Sequence, residues 1–316
     1  MAMTVGMCFP RECPGSAVTE FARRLEAGGL DELWLIEDCF FTTAPPLAAA
    51  ALASTERLAV GLGILPAVSR TAAVTAMEVA TLASIAPGRV VGGVGHGIQS
   101  WMAQMGAATS SPLTTLDEVV STVRRLLRGE TVTFHGREVT LDDVRLEHVP
   151  DPVPPVLAGV GGPKSLALAG RVADGVVLGG PSTIPHCRAA REAGHDRGAG
   201  WQVEAFVTMA IAADARDAYR QMAPVLAEAL GSVGFRHLPF LDELRARHEA
   251  DGVNGIVGMP RDWWLQIGAI GTRDDAVEHV ALLEAEGVTG AAFFPAPDLV
   301  KARAQIDDVL AIAAAC

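Results

Sequence analysis

Three titratable residues in this sequence stand where apolar runs stop. Glu37 and Asp38 end the run ELWLIED, and His96 follows RVVGGVG. A carboxylate or an imidazole at the end of a buried strand can pass a proton to or from a bound molecule. Imidazole does so near neutral pH. A fourth stretch carries different chemistry. Residues 156–158 (VLA) run into Gly159-Val160-Gly161-Gly162, after which Pro163 opens a segment, 164–173, with apolar residues at helical spacing. Proline suits a first helical position, where no N–H is needed. Glycines ahead of it let backbone amides converge at the helix N-terminus, a natural seat for phosphate. Gly175 then opens a second apolar run that stops at Gly179-Gly180. Strand, turn, helix and strand in so short a span make a βαβ unit.

Two phosphate-binding frames compete for that unit. A dinucleotide fold needs G-x-G-x-x-G and an acid at the end of the second strand. Here the glycines are wrongly spaced, and Gly179-Gly180-Pro181 occupies the acid's place. A β/α barrel needs no such acid and binds phosphate on glycine-rich loops after its late strands. A tight βα turn with no ligand is the plain alternative.

The elements that must position these residues alternate throughout. Strands are expected at 4–10, 32–38, 58–65, 89–97, 156–158, 175–178, 203–211 and 288–294, and helices at 17–27, 47–54, 71–85, 114–127, 164–173, 217–230 and 300–315. A hairpin is expected from 132–134 and 138–140 around His135-Gly136. Eight apolar strands without in–out alternation describe a parallel barrel rather than an open sheet. Two stretches, about 98–150 and 231–268, read as loop insertions. Pro239, Gly252, Gly255, Gly258 and Pro260 break any long helix in the second, which reads as a partly helical lid or substrate wall.

Composition narrows the function classes. At 316 residues, half of them hydrophobic, the chain suits one barrel with insertions. A net charge of −12 argues against nucleic acid and anionic membranes. Cys8, Cys13, Cys39, Cys187 and Cys316 are odd in number and scattered, with no disulfide frame, and no metal site is expected. There is no leader pattern and no span-length apolar run, so a cytoplasmic protein is expected.

Each candidate also has a plain structural reading. Glu37 or Asp38 could cap a helix or pair with an arginine. His96 could be a solvated loop residue. Trp101 and Met102 read as wall or core, His135 as a turn residue, and Arg70 as a surface residue. Cys39 reads as an inert thiol, because neighbouring carboxylates raise a thiol pKa.

LWLIEDCFF, GLGILPA, GRVVGGVGHG and VLAGVGGPKSLALAGRVADGVVL occur in the order and spacing of the bacterial-luciferase-like oxidoreductases. The chain most resembles the branch with methylenetetrahydromethanopterin reductase and deazaflavin-dependent glucose-6-phosphate dehydrogenase. The resemblance implies a (β/α)8 TIM barrel, one domain over 1–316, that binds coenzyme F-420 or, alternatively, FMN. The ring would lie in the barrel mouth by Asp38, Gly63, Ile64, Gly95, His96, Gly179 and Gly180. The phosphate would lie near Gly159, Val160, Gly161, Gly162, Pro163 and Lys164. It also implies a cis peptide at Gly63-Ile64 and hydride transfer between the deazaflavin and a small organic substrate. The alternatives are an FMN-dependent monooxygenase and a non-catalytic flavin binder.

Relatives end strand two in an Asp-His pair, where this chain has Glu37-Asp38. By that register Asp38 takes the histidine's place, and His96 supplies the titratable group. The alanines of the second and third helices (Ala48 to Ala51, Ala53, Ala72, Ala73, Ala76, Ala80, Ala83) match the relatives' dimer interface, so a homodimer is expected.

Overall fold

The computed structural model describes residues 2–315. Eight parallel strands close on themselves: β1 (Thr4–Phe9), β2 (Glu32–Ile36), β3 (Ala59–Pro66), β4 (Val90–Gly95), β7 (Val156–Gly159), β8 (Gly175–Leu178), β9 (Gln202–Ile211) and β11 (Gly290–Phe294). Between them in sequence lie an antiparallel hairpin, β5 (Val132–His135) with β6 (Thr140–Val144), and a short strand β10 (Ala269–Gly271). β8 pairs with β9 and β11 with β1, so the sheet has no free barrel edge. β10 adds to the upper half of β9 outside the ring, opposite Met209 to Ile211. The fold is the expected (β/α)8 barrel.

Helices cover the outside: α1 (Val18–Gly28), α2 (Ala44–Ala53), α3 (Ala72–Ile85), α4 (Gln99–Gln104), α5 (Pro112–Leu127), α6 (Pro163–Val172), α7 (Ile184–Ala193), α8 (Ala215–Ala229), α9 (Leu241–Val257), α10 (Arg261–Ile267), α11 (Arg273–Ala285) and α12 (Leu299–Ala313). No helix among the described residues is long and apolar enough to cross a membrane.

The strands read as unbroken apolar runs because both faces are buried. Outward residues such as Leu33 and Leu35 join the large core under the helices. Inward residues, among them Cys8, Trp34, Ile36, Leu157, Val177 and Phe206, form a separate core inside the barrel. The glycine at position 61, an apparent interruption of β3, answers to that inner core. A Cβ there would lie 2.3 Å from the Trp34 indole, so the ring fits only over glycine.

The insertions differ from the expected outline. α5 packs between α3 and α6 as a member of the helix ring, leaving α4 and the hairpin as additions. The second hairpin strand lies later than expected, at Thr140–Val144. The 231–268 stretch is mostly helical. α9 runs 17 residues with a kink at Asp251-Gly252, where Gly252 takes φ of 55°. It shares an apolar core with α8, α10 and β10 through Tyr219, Leu244, Ile256 and Trp264. α7, β10 and α11 are elements that the sequence pattern did not mark. Cys8, Cys13, Cys39 and Cys187 are free thiols, and Cys316 lies outside the described residues.

Candidate active site

The sequence candidates lie at the C-terminal ends of the barrel strands, but they do not all face the same way. The β3–β4 register slips between Leu62 and Leu65, and the Gly63–Ile64 peptide is cis, as the resemblance implies. Ile64 packs inward across the neighbouring strand ends. A Cβ on Gly159 would lie 2.3 Å from Ile64 Cγ2, so glycine at the end of β7 makes room for that side chain. Gly95 and Gly179 border the same side chain. The result is an apolar ledge at the mouth of the barrel.

Beyond β2, alternation sends Glu37 and Asp38 to opposite sides. Asp38 follows the inward set Trp34 and Ile36. Its carboxylate pairs with Arg11, which follows β1, and Arg11 Nε also holds Glu12 at 3.0 Å. Burial works against the Arg11 charge, but hydrogen bonds to Glu12 and Asp38 outweigh it and raise its pKa. The Arg11 guanidinium also stands over the Phe41 ring, 4.7 Å from its centroid.

Glu37 faces the helix layer. It accepts two bonds from Arg70, at 2.5 and 2.8 Å, and a third from the Ala44 amide that begins α2 at 3.0 Å. Glu37 is buried, with 7% of its side chain exposed, and Arg70 is mostly covered, at 13%; Arg70 also meets Glu78 at 2.9 Å. Arg70 is therefore not a surface residue, as its sequence position had implied. Glu37 is fully engaged as a cap and an ion-pair partner, away from the mouth.

His96 is half-buried behind β4. Its Nδ1 lies 3.1 Å from the Pro112 carbonyl and its Nε2 2.9 Å from the Ser165 hydroxyl. Burial pushes its pKa below the ordinary imidazole value, partly offset by the Pro112 contact. Both ring nitrogens are thus occupied by protein groups. Ser165 sits in the first turn of α6, so His96 is joined to the glycine-rich loop rather than to Asp38.

That loop ends at Gly162, the N-cap of α6, which has no side-chain cap, and Pro163 contributes no N–H. A Cβ on Gly162 would meet nothing within 4 Å, so the approach is open. On the far side of the loop the Gly161 carbonyl accepts from His186 at 3.2 Å and lies 3.4 Å from His237 Nε2. The two imidazoles stack with centroids 4.7 Å apart. Burial, then the neighbouring His237, push His186 down to about 4, against the Gly161 hydrogen bond. Neither histidine was singled out in the sequence. His237 lies in the irregular 231–268 stretch and reaches the loop only through the fold.

An apolar rim completes the opening. Phe40 and Phe41 are exposed after β2, Ile98 and Met105 after β4, and Cys39 Sγ meets Met105 Sδ at 3.9 Å to join the two loops. Burial and then Glu37 and Asp38 raise the Cys39 pKa, which leaves the thiol protonated. Met102 is core and Trp101 half-buried wall, while His135 stands exposed at the end of β5.

The arrangement suits a flat ring against Ile64, an anion at α6, and proton transfer from Asp38. The chain is 27% identical over 288 residues to 5,10-methylenetetrahydromethanopterin reductase of Archaeoglobus fulgidus, covering 85% of this chain and 86% of that one. The same enzyme of Methanolobus tindarius is 32% identical over 180 residues, 56% of this chain and about half (54%) of that protein. The coenzyme F-420-dependent tetrahydromethanopterin reductase of Methanopyrus kandleri has the same fold, with a TM-score of 0.79, 19% identity and 98% of each chain covered. The family model described as luciferase-like monooxygenase matches residues 3–290, and the chain belongs to that family of enzymes.

Proposed function

We propose that this protein is an F-420-dependent oxidoreductase that transfers a hydride between the deazaflavin and a small organic substrate. The observation that most supports this is a pairing within one opening: the uncapped, glycine-lined start of α6 and the Ile64 ledge beside it. The first offers amides to a phosphate, and the second offers an apolar backing to a planar ring. Similarity to the Archaeoglobus fulgidus reductase over 85% of this chain favours the same reading.

In this reading Gly159, Val160, Gly161, Gly162, Pro163 and Lys164 hold the phosphate, and Gly63, Ile64, Gly95, Gly179 and Gly180 border the ring. When bound, the deazaflavin supplies a two-electron hydride donor or acceptor at C5. The chain's own task is the accompanying proton. Asp38 is the acid/base, because it is the candidate whose carboxylate stands at the mouth, and Arg11 orients it. Phe40, Phe41, Ile98 and Met105 shield that exchange from water and give a small organic substrate an apolar wall. His96 and Glu37 act on the frame: His96 through Ser165, and Glu37 through Arg70 and α2.

The active form is a homodimer through α2 and α3. Val74, Met77 and Ile85 stand exposed along one stripe of α3, next to the small side chains of α2.

Titration of the purified protein with F-420 and with FMN, read by ligand fluorescence, tests the cofactor. Saturable F-420 binding followed by substrate-dependent change in its reduction state is expected. Binding of FMN alone, with oxygen consumption from its reduced form, would put the FMN-dependent monooxygenase in its place.

A further inference from the structure

We propose that His96 is a positioning residue that couples anion binding at the start of α6 to the uptake of one proton. The inference rests on the phosphate placement proposed above, and it follows from donors and acceptors. A carbonyl only accepts, so the Pro112 oxygen at 3.1 Å requires a proton on His96 Nδ1. In the neutral ring Nε2 then carries a lone pair, and the Ser165 hydroxyl at 2.9 Å donates its hydrogen to it. Ser165 is left presenting only lone pairs to the first turn of α6, where a phosphoryl oxygen also brings only lone pairs.

A proton on Nε2 reverses that bond. The imidazolium donates from both nitrogens, to Pro112 and to Ser165, and the freed hydroxyl hydrogen turns to the anion. One proton is gained from solvent, no covalent bond other than that N–H is made, and the anion acquires a donor. The surroundings permit this without a competing carboxylate. From α5 the ring meets the Pro112 carbonyl, from α6 the Ser165 hydroxyl, and on its own loop its backbone oxygen accepts from Gln99. The charged neighbour of Ser165 in α6 is Lys164, which an incoming anion would offset. In the free protein, burial favours the neutral ring. By reciprocity an anion that prefers the protonated ring must raise the ring's affinity for the proton by the same factor.

The test is calorimetric titration of the whole protein with F-420 and, separately, with sulfate, which has no titrating proton in the working range. Each titration is run in buffers of different ionisation enthalpy between about pH 5.5 and 8.5, the range in which imidazole titrates. Wild type should take up a proton with either anion. Its affinity should weaken by up to about tenfold per pH unit within the window between the free and the bound His96 pKa. Ser165→Ala should lose the proton uptake and bind more weakly at the low end. His96→Gln, whose amide donates without titrating, should bind with no uptake through this residue. Taking the difference from wild type cancels the ionisation of F-420 itself. Binding of both anions by wild type with no uptake, or uptake unchanged in both variants, would overturn the proposal while leaving the cofactor assignment standing. Failure of both anions to bind at any pH would overturn the two together.

Discussion

Arg70 and Glu37 form a buried, two-pronged ion pair, with both carboxylate oxygens of Glu37 bonded to the guanidinium. The pair ties the end of β2 to the loop after β3, and the Ala44 amide adds the start of α2. Removing the arginine alone leaves a carboxylate uncompensated in a dry site, which costs about 3–5 kcal/mol. Arg70→Met should therefore lower stability by roughly that amount in urea unfolding, whereas Glu37→Gln should cost less, since its amide oxygen still accepts from Arg70 or Ala44. Equal and small losses in both variants would mean that the pair is not held as described.

Asp38 is the carboxylate proposed above as the acid/base. Asp38→Asn keeps the size of the side chain and an oxygen for Arg11 but cannot exchange a proton. Turnover should fall by about 10²- to 10⁴-fold, the usual range for a general acid or base. F-420 affinity should change by no more than a few fold. Full turnover in Asp38→Asn would move the proton transfer to another group, and a parallel loss of affinity would make Asp38 a binding residue instead.

The barrel was legible in the sequence because its strands are buried on two sides and its turns are marked by glycine and proline. β10 was not, since three residues carry no period, and α11 (RDDAVEHVALLEA) hides its apolar face among acids. The positions of Glu37, Asp38, His96 and the 159–164 loop followed from strand ends alone. Their partners did not. Arg70 is 33 residues from Glu37, Ser165 is 69 from His96 and His237 is 76 from Gly161, so each contact exists only once the fold brings distant loops together. Glu37 and Asp38 look equivalent as text, and it is the outward turn of one and the inward turn of the other that gives the first Arg70 and the start of α2 as partners and the second Arg11.

The proposed dimer rests on α3. Met77 is 56% exposed, and Val74 and Ile85 lie exposed on the same helix. A charge placed there would have to be desolvated on association, which costs several kcal/mol unless it is paired. Met77→Asp should shift the protein from dimer to monomer in light scattering at micromolar concentration while leaving its circular dichroism unchanged. A wild-type monomer under those conditions would remove the proposal.

The lower end of the barrel holds two carboxyls far from the proposed site. Glu32 and Glu204 point inward from β2 and β9, 6% and 5% exposed. Burial raises both pKa values. The Glu32 charge raises Glu204 further, while a hydrogen bond from Glu204 partly relieves Glu32. Two carboxyls so close in a buried site favour keeping one proton between them over carrying two charges. In the unfolded chain both titrate near about 4.3. A carboxyl whose folded pKa is raised contributes stability that is fully present below the unfolded pKa. That contribution is lost as pH rises from there through the folded value, because the unfolded chain releases its proton first. The loss runs at about 1.4 kcal/mol per pH unit for one proton. Glu204→Gln keeps a donor to Glu32 and removes the titration. Its unfolding free energy, measured in urea from pH 5 to 8, should fall less steeply than that of wild type, and at pH 8 it should be the more stable protein. Parallel curves for the two would show that the pair does not share a proton in the folded state.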